Sequence, residues 1–316
     1  MPTFYIKHLT KYTYSNPVID SANQIMLFPA DSESQKTISQ KITVSTNPKV
    51  ETYTDFFKNT VGTFMVTEPH NFLSIESEIE VDTTAIQFPN DIVTIKEQWD
   101  ELSALKNNTE FIDFLKYITF DGTEEISNLI SQKDLENLSP YKIVLELCDY
   151  IFTNFKYIQG ITNVDSKLDD VWRLKAGVCQ DFTNILLQMI RMLGIPARYV
   201  SGYICPSGEA SRGEGATHAW IEAYIPFYGW LGIDPTNNII ANAYHVKLAV
   251  GRNYNDCAPV KGVFKGKAKD DLFVKVKVST EKNNNESLVF PVTKETNKDS
   301  NSFRQNLELI QQQQQQ

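Results

Sequence analysis

Residues 177–196 constrain this chain more than any other stretch. The apolar residues Phe182, Ile185, Leu186, Met189, Ile190 and Leu193 recur at the i, i+3, i+4 spacing of a helix with one face in a core. Gly194 and Pro196 end it. The apolar runs that follow alternate instead. Residues 197–204 read as a strand. In residues 217–225, Ala219, Ile221, Ala223 and Ile225 fall on one face, with His218, Trp220, Glu222 and Tyr224 on the other. Residues 226–229 make a turn and residues 230–234 return as the second arm of a hairpin. Pro235, which has no N–H to give a ladder, ends that arm directly after Asp234. A helix followed by neighbouring antiparallel strands specifies an α+β fold.

Cys179 stands where that helix begins, with Gly177 letting the backbone turn into it. The unpaired N–H groups and positive dipole end of the first turn favour thiolate. The shift matters, because a thiol with a pKa of about 8.5 is only a few per cent ionised at neutral pH. His218 and Asp234 sit on the hairpin. In a Cys-His-Asp set, His218 would take the thiol proton and return one to the leaving group, and Asp234 would orient the imidazole. The Cys179 N–H would supply an oxyanion donor. The bland readings are a small buried hydrophobe for Cys179, a hydrogen-bonded structural residue for His218 and a turn former for Asp234. With a four-residue turn, simple register places Asp234 opposite Ile221, so contact with His218 requires a shift or a diagonal approach.

Gly177-Val-Cys179-Gln-Asp-Phe182, His218-Ala-Trp-Ile-Glu222 and Gly229-Trp-Leu-Gly-Ile-Asp234-Pro-Thr-Asn237 resemble the three motifs of the transglutaminase-like superfamily in its bacterial branch. The resemblance implies a papain-like core with Cys179 as nucleophile, His218 as base and Asp234 as third member. Phe155-Lys-Tyr-Ile-Gln-Gly-Ile-Thr162 is similar to the segment preceding the cysteine helix in that branch. Gly251-Arg-Asn-Tyr-Asn-Asp256 through Pro259-Val-Lys-Gly-Val-Phe264 is similar to its closing segment. Two departures are Cys257, where the branch usually carries an apolar residue, and Asn253, where Asp is expected. Thr10-Lys-Tyr-Thr-Tyr-Ser-Asn-Pro17, Met26-Leu-Phe-Pro29 and Asp55-Phe-Phe-Lys-Asn59 are similar to the N-terminal domain that accompanies these cores.

The rest of the chain fits a three-part organisation: an N-terminal antiparallel β-sandwich over 1–87, a transglutaminase-like core over 88–282 and a low-complexity, disordered tail over 283–316. In the first part, Ile38, Ile42 and Val44 alternate with polar residues, as do Leu73, Ile75, Ile79 and Val81. In the second, residues 108–115 read as a capped helix, and Ser139-Pro140 opens another through Ile143, Val144, Leu147 and Ile151. Residues 206–215 form a Gly-rich loop before His218, read either as rimming or covering the cleft or as a mobile surface connection with no role in binding. Leu272, Val274, Val276 and Val278 mark a last strand closing the core, and the Asn and Gln runs beyond it signal the tail.

Composition narrows the function. The formal net charge of -9 argues against nucleic acid or an anionic membrane as partner. No run approaches the roughly 18 apolar residues of a membrane span, and residues 1–8 lack a signal h-region, so a cytoplasmic location is expected. Cys148, Cys179, Cys205 and Cys257 form no C-x-x-C pair, and His8, His70, His218 and His245 lack metal-ligand spacing. No metal or cofactor is therefore expected. Cys148 reads as core, Cys205 and Cys257 as thiols in loop-like surroundings, and His8 and His70 as structural. Tyr157, Trp172 and Trp220 read as core by default, with cleft lining as the alternative. Arg173 and Lys175 read as solvated cations or as a source of positive potential near Cys179. These features point to a cysteine peptidase or amidase acting on a peptide or protein. A transglutaminase and a catalytically silent binding module are the alternatives.

Overall fold

The computed structural model describes residues 2–90, 93–162, 166–205, 212, 216–282 and, for the backbone alone, 292–295. The chain opens with β1 (Thr3–Ile25), β2 (Gln35–Val44), β3 (Glu51–Thr54), β4 (Thr60–Val66) and β5 (His70–Thr83). Four helices follow: α1 (Ile95–Leu105), α2 (Ile112–Leu115), α3 (Thr123–Ser131) and α4 (Pro140–Asn154). Next come β6 (Lys156–Tyr157), α5 (Leu168–Leu174), β7 (Ala176–Gly177) and α6 (Cys179–Met192). The strands β8 (Ala197–Ile204), β9 (His218–Ile225), β10 (Gly229–Asp234), β11 (Ile239–Ile240) and β12 (His245–Gly251) lead to α7 (Tyr254–Cys257). Last are β13 (Val260–Lys265), β14 (Asp270–Ser279) and β15 (Val292–Glu295). None of the described helices is long and apolar enough to cross a membrane.

The chain forms two compact units, one of residues up to Thr83 together with those from Ala258, the other Thr84–Cys257. In the first, β1 is shared by two antiparallel sheets. Its first half pairs with β5 and β14, and its second half, from Ile19, pairs with β4 and β13. Pairing with β5 breaks between Thr13 and Val18, where Pro17 cannot donate, and Asp20 follows with φ of 48°. A break of this kind lets one strand turn the corner between sheets, giving the expected sandwich a curled form. β5 alternates as the sequence predicts, with Leu73, Ile75, Ile79 and Val81 buried. Ile38 does not follow its pattern. It lies at the register shift between Thr37 and Ser39 and is 49% exposed, because a bulge turns the following side chains over.

The boundary expected at residue 282 is corrected by β13 and β14. Both pair with β1 in the first unit, so the polypeptide returns to the N-terminal sheet after Cys257. β15 adds to β14, a strand within the stretch expected to be a disordered tail. The remainder of that stretch lies outside the described residues.

In the second unit, α6 packs on an antiparallel sheet of order β11-β10-β9-β8-β12. Phe182, Ile185, Leu186, Met189 and Ile190 are fully buried, as the period predicts. Truncating one of them to Ala is expected to cost about 2–5 kcal/mol. Gly194, at φ of 79°, takes the left-handed position that stops the helix. α4 starts as read, with the Ser139 hydroxyl accepting the Lys142 N–H and Pro140 in the first turn, and it packs on α6. The helix expected over 108–115 is confined to Ile112–Leu115. The Asn108 side chain accepts the Glu110 N–H, which spends the cap on a local turn instead.

Candidate active site

Cys179 is the first residue of α6 and is partly exposed, whereas Cys148, Cys205 and Cys257 are buried. Asp181 fixes this end of the helix. Its Oδ2 accepts the Val178 N–H at 2.8 Å and the Thr162 hydroxyl at 2.5 Å. A Cβ on Gly177 would stand 2.5 Å from that oxygen, so glycine is required by the close approach of Asp181. β6 runs parallel beside Gly177, and the Ile158 N–H donates to the Gly177 carbonyl at 2.9 Å. This pairing brings Tyr157 alongside Gly177, two residues before Cys179. Burial raises the Tyr157 pKa, and negative charge on Cys179 raises it further.

The hairpin register decides the rest. Gly229 pairs with Ile225 and Ile233 with Ile221, so the connection has three residues, with Phe227 at φ of 62° and Gly229 at 105°. That is one residue tighter than the sequence reading. The slip places Asp234 in line with Trp220, on the face that carries His218, where the expected register would have put it on the opposite face. His218 is then the diagonal neighbour of Asp234, and its Nε2 lies 2.8 Å from Asp234 Oδ2.

Asp234 is fully buried and richly supplied with donors. Oδ1 accepts the N–H groups of Thr236 at 2.9 Å and Asn237 at 3.4 Å, and Oδ2 accepts the Asn237 side-chain amide at 2.8 Å. Burial would push its carboxyl upward, but the His218 and His245 contacts outweigh that and hold it well below the usual carboxylate range. For His218, burial would lower the pKa. Asp234 first and Cys179 second reverse this, and the imidazolium is favoured. His218 Nδ1 is buried and has no hydrogen-bond partner. The Cys179 sulfur is close enough to contribute to the raised pKa of the ring.

His245 was given no role by the sequence. It comes from the start of β12, and its Nε2 lies 3.3 Å from Asp234 Oδ2. Its Nδ1 accepts the Asn242 N–H at 3.2 Å, which leaves the ring proton on Nε2. One ligand atom from each of His218, Asp234 and His245 lies within 4.8 Å of the others, a grouping that can hold a metal ion. The hydrogen bonds account for the same closeness, since the Nε2 atoms of both rings face the carboxylate as donors.

Residues 129–235 match the model of the transglutaminase-like superfamily, and residues 4–82 match that of the bacterial transglutaminase-like N-terminal region. An uncharacterized protein of Mycobacterium leprae is 31% identical over 277 residues, covering 87% of this chain and 97% of its own length. The chain belongs to the transglutaminase-like superfamily. A protein-glutamine gamma-glutamyltransferase of Pseudomonas aeruginosa is 32% identical over 83 residues, 25% of this chain and 12% of that protein. Among solved structures, a candidate cysteine protease from Cytophaga hutchinsonii aligns over 93% of this chain and 98% of its own, with a TM-score of 0.69 and 22% identity. That likeness shows the fold, which is the papain-like α+β arrangement of this superfamily.

The other side chains singled out from the sequence of this superfamily member have their own surroundings. Trp172 is buried and donates Nε1–H to Glu125 at 2.9 Å. Lys175 lies over the Trp172 ring, and Arg173 pairs with Asp170 at 2.6 Å on the surface. Cys148 is core and faces the Asp234 carbonyl at 3.6 Å. Cys205 follows β8 outside regular structure, as read, whereas Cys257 closes α7, and both are buried. The Cys257 sulfur faces the Tyr199 carbonyl at 3.7 Å. His8, in the first unit, contacts Thr10 at 2.9 Å and is pushed down to about 4 by burial. His70 contacts the Glu68 carbonyl at 2.8 Å. Of the Gly-rich loop, Arg212 is the one described residue. The Arg212 N–H donates to the Asn237 side chain at 2.8 Å.

Proposed function

We propose that this chain is a cysteine-dependent acyl-transfer enzyme that hydrolyses peptide or amide bonds, with Cys179 as nucleophile, His218 as proton carrier and Asp234 as its orienting carboxylate. The observation that supports this best is the buried His218 ring, hydrogen-bonded at Nε2 to Asp234 and left at Nδ1 with the Cys179 sulfur nearby. In this reading the thiol proton passes to Nδ1 and the thiolate attacks the carbonyl carbon of a peptide or protein substrate. The N–H of Cys179, in the first turn of α6 where helical partners are lacking, faces the developing oxyanion. As the tetrahedral centre collapses, the imidazolium gives its proton to the departing amine and a thioester remains. Water then attacks the thioester with His218 taking its proton, and the acid product leaves as Cys179 recovers its hydrogen.

Replacing that water by a lysine amine turns the same steps into protein-glutamine transfer. The local similarity to the Pseudomonas aeruginosa gamma-glutamyltransferase supports this second reading. Hydrolysis is preferred because water is present in large excess. The test is turnover of a peptide-amide library by the wild type and by Cys179→Ala, with products identified by mass. Acid product that disappears in the variant supports hydrolysis, crosslinked product supports transfer, and no turnover by either protein contradicts both.

A further inference from the structure

We infer that His245 is a positioning residue for the reaction proposed above: a neutral imidazole that donates Nε2–H to Asp234 and so holds the carboxylate in line with His218. The inference rests on that reading for its purpose and on separate geometry for its content. The tautomer is set by the backbone, because the Asn242 N–H occupies Nδ1 at 3.2 Å and leaves Nε2 as the donor toward Oδ2 at 3.3 Å. The ring is buried, and the surroundings hold it in place. It meets the Trp220 indole edge-on at 5.2 Å between centroids, and the same indole stacks on His218 at 6.1 Å with 29° between planes, so the three rings pack as a triangle with the imidazole centroids 6.3 Å apart.

Glycine makes this stack fit. A Cβ on Gly202, on the strand between β9 and β12, would stand 2.2 Å from the Val246 carbonyl and 2.5 Å from Trp220. Its absence lets the indole lie across β8 against both imidazoles. Two rings therefore converge on one carboxylate, with different roles. His218 faces Asp234 and Cys179, and its charged form is favoured. The charged groups facing His245 are Asp234, which attracts a proton, and His218, which repels one; burial outweighs the attraction and the neutral form is favoured. A neutral donor supports the carboxylate without competing for the positive charge that His218 carries.

Loss of one hydrogen bond to a buried charge corresponds to about one pH unit, or about tenfold in the population of the imidazolium-thiolate pair. The experiment is the pH profile of Cys179 alkylation by iodoacetamide in the wild type, His245→Phe and His245→Gln, with thermal melting of each. His245→Phe is expected to fold and to move the Cys179 profile up by about one unit, and His245→Gln, which keeps an N–H donor, to restore most of it. A His245→Phe profile identical to wild type overturns the inference. Should His245→Phe not fold, nitrogen-15 NMR of imidazole-labelled wild type decides. A neutral ring protonated at Nε2 between pH 6 and 8, assigned by its loss in His245→Gln, supports the role, and a charged or Nδ1-protonated ring overturns it. If wild-type Cys179 titrates near about 8.5, the proposed function fails, and the NMR tautomer still tests the contact by itself.

Discussion

Two buried carboxylates on the same face of the β9–β10 hairpin region are held in opposite ways. Glu222 accepts from Arg198 at 2.7 Å and from Lys247 at 2.8 Å, and despite burial these fixed cations bring its pKa down to about 2. Among the described residues, no Arg or Lys forms an ion pair with Asp234. Its partners are backbone N–H groups, an amide and two imidazoles. A guanidinium or ammonium keeps its charge across the neutral range, so Glu222 is part of the frame. An imidazole gains or loses charge near neutrality, so the charge on Asp234 is converted into a raised proton affinity on His218. The two sites lie within one sheet and one degree of burial, and the kind of counter-charge separates structure from chemistry.

The sharpest way to break this comparison is to neutralise each carboxylate in turn. Asp234→Asn is expected to lower kcat/KM for a peptide substrate by about 10²–10⁴, as loss of the third member does in other triads. Glu222→Gln should change it by less than about threefold. Equal losses in the two would erase the distinction. Next in size, Arg198→Met should lower unfolding free energy in denaturant by about 3 kcal/mol, by leaving a buried carboxylate short of a partner, while the Cys179 alkylation profile stays unchanged.

Part of the acid limb of stability should belong to Glu222, beside the contribution of Asp234. The folded pKa of Glu222, about 2, lies below the ordinary value of 4.5, so its contribution is complete above pH 4.5 and drains away as pH falls toward 2. That amounts to about 3 kcal/mol, and urea titrations at pH 6 and pH 3 should show Glu222→Gln losing less between the two than wild type does. A comparable loss of stability is expected from Gly202→Ala. The added methyl would meet the Val246 backbone carbonyl as well as the Trp220 ring, at a cost of about 1–3 kcal/mol, and alkylation of Cys179 should slow with it. A variant as reactive and as stable as wild type would show that the packing of Trp220 against the imidazoles does not depend on Gly202.

Much of this site was legible in the sequence because its parts are local. The α6 period, the Ser139-Pro140 cap and the alternation of β9 each depend on neighbours within a few residues, and all appear where the pattern places them. The His218–Asp234 contact was not readable, since it turns on whether the connection has three residues or four. Only the positive φ at Phe227 and Gly229 decides that. His245 was harder still. It arrives through strand order, two strands away from β9 across Gly202, and its spacing along the chain carries no trace of the contact. The return of β13 and β14 to β1 was hidden for the same reason, because β pairing at long range leaves no local signature.

The most direct test of the central claim, that Asp234 and His218 together activate Cys179, is the pH dependence of Cys179 alkylation in wild type and His218→Ala, read by peptide mass mapping. Burial of Cys148, Cys205 and Cys257 makes them internal controls. The expected result is a wild-type Cys179 that reacts well below about pH 7, with the variant's apparent pKa moved up to about 8.5. A Cys179 that titrates near about 8.5 in both proteins would contradict the claim.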